Sequence, residues 1–356
     1  MFIITVMLTK FLSREIKLDF RDVLIVPKKT RITSRKEVSL IKKIKFNDNV
    51  TWTGVPIVSS NMDTVTNLDT FNIMKQHNYI SCFPKHFNKK WANVSSQLPI
   101  ELADTDHYML SCGTSKDDCN TMINLLIGLH DVDIVPKFLC IDVANGYMKS
   151  LQETCCKMRG LFPDIVITAG NVVTPDLTRE LIQNCGVDIV KVGIGSGAVC
   201  ETRLKAGVGY PQLSAVLECA QAAHEAGGRI MSDGGIVYPC DIVKAFSGGS
   251  DFVMCGSIFA GHEESPGETV HGGTHKAFYG MSSHKANEKY NGGMNGYRTS
   301  EGKAVYIPIK GSIDDTIKDI SGSIRSACAY TDCNHLDQLS SAQFIQVNHH
   351  HNTSLN

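Results

Sequence analysis

The stretch Ile165-Val-Ile-Thr-Ala-Gly-Asn-Val-Val-Thr-Pro-Asp-Leu-Thr-Arg-Glu-Leu-Ile-Gln-Asn-Cys-Gly-Val-Asp-Ile-Val-Lys-Val192 decides the fold. It opens on an apolar run rich in β-branched residues, turns at Gly170-Asn171, enters a helical pattern at Pro175 and returns to a second apolar run. Two such runs joined by a helix read as parallel strands, because parallel neighbours need a long crossover. Working outward, apolar runs recur at Val55-Ser59, Tyr79-Phe83, His107-Ser111, Phe138-Val143, Ile165-Ala169, Ile189-Val192, Arg229-Ser232 and Phe252-Cys255. Helical patterns at Asp117-Leu129, Tyr147-Gly160, Pro175-Asn184, Pro211-Ala226 and Pro239-Phe246 lie between them, three opening on a proline suited to a first helical turn. Eight repeats predict an α/β fold, a (β/α)8 TIM barrel.

The repeats occupy residues 54–261 of a single domain spanning 1–356. Residues 1–53 are basic and strand-forming and predict an N-terminal β extension. Residues 262–306 hold Gly272-Gly273 and Gly292-Gly293 with little periodicity, which predicts a flap over the barrel, and helical pattern resumes in a C-terminal segment, 307–356. The alternative, an open doubly wound sheet, would rest on Gly193-Ile-Gly195-Ser-Gly197-Ala198. No long helix pattern starts there, and no second strand ends in an acidic residue at the required distance.

With 356 residues, 42% hydrophobic and 20% charged, the chain can bury a large core, which excludes disorder and disulfide-stapled miniature folds. A formal net charge of -1 gives no bulk field toward nucleic acid or anionic membrane, so neither is expected as a partner. Thirteen cysteines without paired zinc-type spacing point to a reducing, cytoplasmic setting. The apolar run Met1–Leu8 lacks a basic lead and a small-residue cleavage site and is far below spanning length; it reads as part of the structure. The run His349-His350-His351 is too short and embedded to read as a tag.

In a barrel of this kind the site forms where strands end. The strand-end residues are Asn61-Met62-Asp63, Lys85-His86, Gly113-Thr-Ser115, Asp142-Val-Ala-Asn145, Gly170-Asn171, Gly193 to Arg203, Asp233-Gly-Gly235 and Gly256-Ser257. The loops after the seventh and eighth strands suit a phosphate, since glycines let backbone N–H groups approach an anion. Asp233 beside them repels phosphate but suits the vicinal hydroxyls of a ribose; turn glycines with a helix-capping aspartate are the plainer reading. Cys200, in a polar loop near Arg203, suits a thiolate nucleophile, whereas Cys82, Cys140 and Cys255 inside apolar runs read as packing.

The segments Leu18-Asp-Phe-Arg-Asp-Val23, Ser60-Asn-Met-Asp-Thr-Val65, Asp142-Val-Ala-Asn-Gly146, Ala169-Gly-Asn-Val172, Gly207-Val-Gly-Tyr-Pro-Gln212, Ser232-Asp-Gly-Gly235, Tyr279-Gly-Met-Ser-Ser283 and Ser300-Glu-Gly302, with the Cys200 loop, span nearly the whole chain. Together they resemble the IMP dehydrogenase and GMP reductase family, the reductase branch more closely. The resemblance implies a homotetramer of barrels that reduces GMP to IMP and ammonia with NADPH. Cys200 would attack carbon 2 of the purine, with Thr202 and Glu301 moving protons; Gly302 would let the Glu301 carboxylate swing toward Thr202 as the site closes. GMP would lie against Asp233, Gly234, Gly235, Gly256, Ser257, Gly280, Met281, Ser282, Arg298, Thr299, Ser300 and Gly302. NADPH would meet Lys85, Asp142, Val143, Ala144, Ile194, Gly195, Met281, Tyr297, Arg298, Ser326, Ala327, Cys328 and Ala329, with Ser34 and Arg35 reaching over from a neighbouring subunit. Carbonyls around Gly195, Gly197 and Cys200, joined by Arg203, resemble the family's monovalent-cation loop, which takes potassium.

Four positions depart from the family pattern: Ser196 for proline, Ala198 for a phosphate-contacting serine, Glu201 for threonine and Ser257 for glycine. Three other functions compete. An IMP dehydrogenase would run IMP to XMP with NAD, but no inserted domain interrupts the barrel, and Tyr297-Arg-Thr-Ser-Glu301 stands where the dehydrogenases carry a water-activating arginine-tyrosine pair. A catalytically weak purine-nucleotide-binding barrel has the substitutions at 196, 198 and 201 as its support. A flavin-dependent barrel would leave Cys200 without a task.

Overall fold

In a computed structural model, residues 15–92, 100–294, 296–297 and 299–347 are described, and every structural statement below concerns them. The N-terminal run Met1–Leu8 and the histidine run 349–351 fall outside. Eight strands, β1 Ile57–Ser59, β2 Ile80–Phe83, β3 Tyr108–Cys112, β4 Phe138–Asp142, β5 Val166–Val172, β6 Ile189–Val192, β7 Arg229–Asp233 and β8 Phe252–Cys255, close into a parallel barrel in chain order, β8 pairing with β1. Five of the eight are buried at every position, as strands covered on both faces must be; β4, β5 and β7 emerge only near their ends.

Helices α1 Leu68–Gln76, α2 Lys85–Ala92, α3 Lys116–His130, α4 Lys149–Leu161, α5 Pro175–Cys185, α6 Thr202–Lys205, α7 Gln212–Glu225 and α8 Pro239–Ser247 fill the connections. Local chemistry sets their ends. Asn67 and Ser115 accept the N–H groups of Thr70 and Asp118, Pro175 and Pro239 occupy first-turn positions, and Gly186 ends α5 with a φ of 66°. Pro211, the expected first helical residue, is a cap instead, because α7 begins one place later at Gln212. Strand β5 runs on to Val172, so Gly170 and Asn171, expected in a turn, belong to the sheet.

The barrel has two cores. One lies between strands and helices. The other fills the N-terminal end of the barrel and includes the antiparallel hairpin Lys42–Lys45/Thr51–Gly54, whose Ile44 and Trp52 pack against Val58, Ile80, Met109, Phe138 and Phe252. Trp52 is 1% exposed, with its ring 5.5 Å from that of Phe252. The basic extension is therefore a plug as well as a strand, and it runs through Gly54. A second strand of it, Val23–Ile25, pairs antiparallel with Phe344–Gln346, tying the two ends of the chain together.

The excursion after β8 is more ordered than its glycine content suggests. Strands β9 Thr269–Val270, β10 His275–Tyr279 and β11 Ala304–Pro308 form an antiparallel sheet, with helix α9 His284–Asn291 between the last two. Sequence patterning missed it because β11 alternates exposed and half-buried residues at a surface, while β10 is buried against the barrel end. Helix α10 Ile313–Tyr330 then returns the chain to the barrel wall through buried Ile313, Ile317, Ile320 and Ile324.

Candidate active site

The strand ends and the flap enclose a cavity of about 400 Å³ lined by Ser60, Asn61, Lys85, Asp142, Val143, Ala144, Asn171, Lys191, Gly197, Cys200, Asp233, Gly280, Met281 and Ser282, among others. That volume lies in the range of small-molecule sites. A larger cleft of about 610 Å³ lies toward the plugged end, against the 126–137 and 161–165 segments; it is mainly apolar and brings no nucleophile beside a base.

At the rim of the cavity the β6 loop presents Cys200, half-buried, while the expected packing cysteines 82, 140 and 255 are fully buried. Burial pushes the thiols of Cys82 and Cys255 far above their ordinary value, so neither supplies a thiolate. The Cys200 thiol donates to Thr202 Oγ1 at 3.3 Å, and the Thr202 hydroxyl donates to Glu301 Oε2 at 2.8 Å. This is a continuous path from sulfur through a hydroxyl to a carboxylate. It spans 99 residues of sequence between Thr202 and Glu301, and backbone contacts hold it shut. Glu201 N donates to Glu301 O at 2.6 Å, Lys303 N to Val199 O at 3.0 Å, and Cys200 and Gly302 form an antiparallel bridge. Glu301 thus already stands beside Thr202 without a swing. Gly280 and Gly302 permit the crossing: a Cβ on Gly302 would lie 3.0 Å from Ser283 N and 3.3 Å from Gly280 Cα.

The nucleotide-side residues divide. Asp233, Gly280, Met281 and Ser282 line the cavity. Gly235 lies in an adjoining cleft with Ser196, Arg203 and Asp241, its N–H donating to Ser196 O at 3.0 Å; Gly234 packs on Ser196 with a φ of 92°. The loop at Ser196 thus lies against both glycines. Gly256 borders Ser60, and Ser257 Oγ donates to Ile236 O at 3.0 Å instead of facing the cavity. Ser300 is buried and donates to Gly302 O at 2.7 Å, which makes it a brace of the flap, while Thr299 is exposed. Arg298 lies outside the described residues.

The cofactor-side residues divide as well. Lys85, Asp142, Val143, Ala144 and Met281 line the cavity. Ile194 and Gly195 belong to the loop behind Cys200, with Gly195 at a φ of 81° against the Arg203 side chain. Tyr297 is 80% exposed on the flap. Ser34 and Arg35 are exposed in a turn beside α10, where Lys28 N donates to Tyr330 O at 2.9 Å. Ser326, Ala327, Cys328 and Ala329 lie on that same helix and do not line this cavity. The Cys328 side chain is fully buried in the core. Around the expected cation loop, Gly197 O accepts the Cys200 N–H at 3.0 Å, and the Arg203 guanidinium reaches Asp19 at 3.3 Å. Among the described residues no cluster of three metal-ligating His, Cys, Asp or Glu side chains occurs.

Two constellations were not anticipated. Lys191, 3% exposed in the middle of the apolar run Ile189-Val-Lys-Val192, reaches Asp233 Oδ2 at 2.6 Å and Asp142 Oδ1 at 3.0 Å. Asn61 donates to Asp142 Oδ2, and Asn171 to Asp233 Oδ2, each at 2.8 Å. Burial opposes charge on Lys191, but the paired carboxylates outweigh it and raise its pKa; burial likewise opposes charge on Asp142, and Lys191 with Asn61 holds it low. The signal was a lone lysine in a strand buried on both faces. The second constellation is a latch. Asp63, after β1, receives Tyr279 Oη at 2.8 Å, Lys289 Nζ at 3.0 Å and the Tyr290 hydroxyl on one carboxylate oxygen, and Tyr290 stacks on His86 with centroids 3.5 Å apart. Burial, then the Asp63 carboxylate, pushes both phenols up, so they remain protonated donors.

A barrel whose mouth carries a loop cysteine wired to a flap carboxylate defines a class, and sequence comparison agrees. Residues 17–353 match the model of the IMP dehydrogenase / GMP reductase domain, and the chain belongs to that family. Within the family it is similar to proteins named GMP reductase. Those from Shewanella pealeana and Vibrio cholerae are 45% identical over 346 residues, covering 96% of this chain and 98% of theirs; that from Yersinia enterocolitica is 46% identical over 337 residues, covering 93% and 95%.

Proposed function

We propose that this chain reduces GMP to IMP and ammonia with NADPH. The observation that carries the reading is the hydrogen-bonded path from Cys200 through Thr202 to Glu301 at the rim of a nucleotide-sized cavity. The Cys200 sulfur bonds to carbon 2 of the purine, and the amino nitrogen there takes a proton along the Thr202–Glu301 path and leaves as ammonia. A reduced nicotinamide bound in the cavity supplies the hydride for carbon 2. The carbon–sulfur bond then breaks, returning the thiolate and releasing IMP. Asp233 receives the ribose hydroxyls, and the glycines at 234, 235, 256 and 280 bring backbone close to the nucleotide.

The cavity suits a nicotinamide nucleotide by its donors and acceptors. Ser60 Oγ and Asn171 Oδ1 are buried without a partner, Lys85 offers a cation at the rim, and Asp142 an acceptor. Lys85, Asp142, Val143, Ala144 and Met281 would hold it. Ser34 and Arg35 are exposed beside the half-buried Ser326, Ala327 and Ala329, away from this cavity, which favours their meeting the cofactor of a neighbouring subunit in a homotetramer. The carbonyls of Gly195, Gly197, Cys200 and Arg203 suit a monovalent cation such as potassium by donor type, since hard cations prefer oxygen. Thirteen unpaired cysteines favour a cytoplasmic setting, and among the described residues no helix is long and apolar enough to cross a membrane.

The test follows NADPH oxidation and released ammonia when purified protein meets GMP, and XMP formation when it meets IMP and NAD. IMP and ammonia in equal amounts are expected, with little or no XMP. Robust XMP production would transfer the assignment to an IMP dehydrogenase, and no turnover with either pair would leave a nucleotide-binding barrel.

A further inference from the structure

Asp142, Gly170 and Lys191 stand in register across three adjacent strands, at the C-terminal end of β4, in β5 and in β6. A Cβ on Gly170 would lie 2.6 Å from Lys191 Cβ and 2.3 Å from Lys191 O, so only glycine leaves the lysine its path. The ammonium consequently sits between two carboxylates that end strands β4 and β7, at 3.0 Å from one and 2.6 Å from the other. Its third neighbour is the Met254 sulfur at 3.7 Å, a weak acceptor, so its position is dictated by the two carboxylates. Asn61 fixes the other oxygen of Asp142, and Asn171 shares with Lys191 the Oδ2 of Asp233. On Asp233, which lines the cavity, both Lys191 and Asn171 bind Oδ2, so neither of them occupies Oδ1.

We propose that Lys191 is a positioning residue for the reaction: it aims Asp233 Oδ1 at the ribose hydroxyls of the nucleotide and, through the same ammonium, holds Asp142 for the cofactor. The proposal rests on the reading of Asp233 as the ribose acceptor. The site carries two carboxylates and one ammonium. Removing the ammonium leaves two like charges facing the same half-buried position, where one takes up a proton or turns away. Either outcome spoils the ribose acceptor without touching Cys200, Thr202 or Glu301. Loss of stability alone would not single out the ribose hydroxyls.

The experiment compares GMP with 2′-deoxy-GMP by direct binding, in wild type, Lys191→Met and Asp233→Asn, alongside the KM for NADPH. Wild type is expected to prefer GMP by about tenfold or more, the scale of a lost hydrogen bond to a charged group. Lys191→Met is expected to bring that ratio to within about twofold and to raise the NADPH KM several-fold. The double variant Lys191→Met/Asp142→Asn, which carries less uncompensated charge, provides the same readout should the single variant fail to fold. A wild-type preference that survives in whichever lysine variant folds overturns the role of Lys191 alone. A wild type without preference, or one that Asp233→Asn leaves unaltered, overturns the ribose assignment and this proposal with it.

Discussion

Thr202 has a short side chain between two groups of opposite use in the proposed reaction, a thiol that would lose a proton and a carboxylate that would hold one. Its hydroxyl accepts from Cys200 and donates to Glu301, so a proton can pass either way without the carboxylate moving. Cys200→Ala should abolish turnover while leaving GMP binding within a few-fold, because most nucleotide contacts come from other loops; single-turnover assays and direct binding check both. Cys140→Ala, deep in the barrel, is the control and should spare turnover in the folded fraction. Glu301→Gln keeps the shape of the site and removes its proton acceptor. Ammonia release should slow by at least about a hundredfold, with the complex of IMP and oxidised cofactor still forming. An undiminished Glu301→Gln enzyme would take this residue out of the relay.

The flap's local structure is read from its fastenings. Its three strands hold one another, but the carboxylate of Asp63, 5% exposed at the side chain, fastens Tyr279, Lys289 and Tyr290 to the barrel end. A buried carboxylate with three donors is a strong anchor, since each hydrogen bond to a charged group contributes about 1.5–3 kcal/mol. Asp63→Asn should therefore loosen the flap selectively. Amide exchange across 275–291 is expected to rise, and the KM for GMP to rise about tenfold, with the barrel strands as protected as before. Equal exchange rates in flap and variant flap would show that the β10–β11 pairing alone holds it down. The small residues at 280 and 302 are part of the same design, because two backbones cross there closer than a side chain allows.

Across the whole molecule the two ends of the barrel do different work. The plugged end is apolar and carries stability; the open end carries every titratable group of the proposed chemistry. Trp52→Ala, cutting a buried ring out of the plug, should cost about 3–5 kcal/mol in thermal or denaturant unfolding. The kcat/KM of the remaining folded protein should stay within about twofold, and a large fall would mean the two ends are coupled. Arg35 tests the opposite scale, the assembly. If its guanidinium pairs with a 2′-phosphate in a neighbouring subunit's cofactor, Arg35→Ala should weaken NADPH by about tenfold and NADH far less. Equal loss for both cofactors would show that it does not read that phosphate.

The barrel was legible in the sequence because each strand, buried on both faces, had to be apolar, and each connection had to turn and coil; those are local demands. Cys200 was legible too, as the one cysteine in a glycine-rich loop and not in an apolar run. Patterning could not reveal the flap sheet, whose half-exposed strand β11 alternates at a surface, nor the plug, whose Trp52 looked like part of a basic extension. Nor could it reveal Lys191, which looks like an interruption of β6 until the barrel closes and brings the ends of β4 and β7 to either side of it. Residue types and their periods are properties of neighbouring positions, whereas the thiol-to-carboxylate path, the Asp63 latch and the shared ammonium join residues between 42 and 227 positions apart. Only the closed barrel and the docked flap set those distances, because charge and hydrogen bonding act through space and not along the chain.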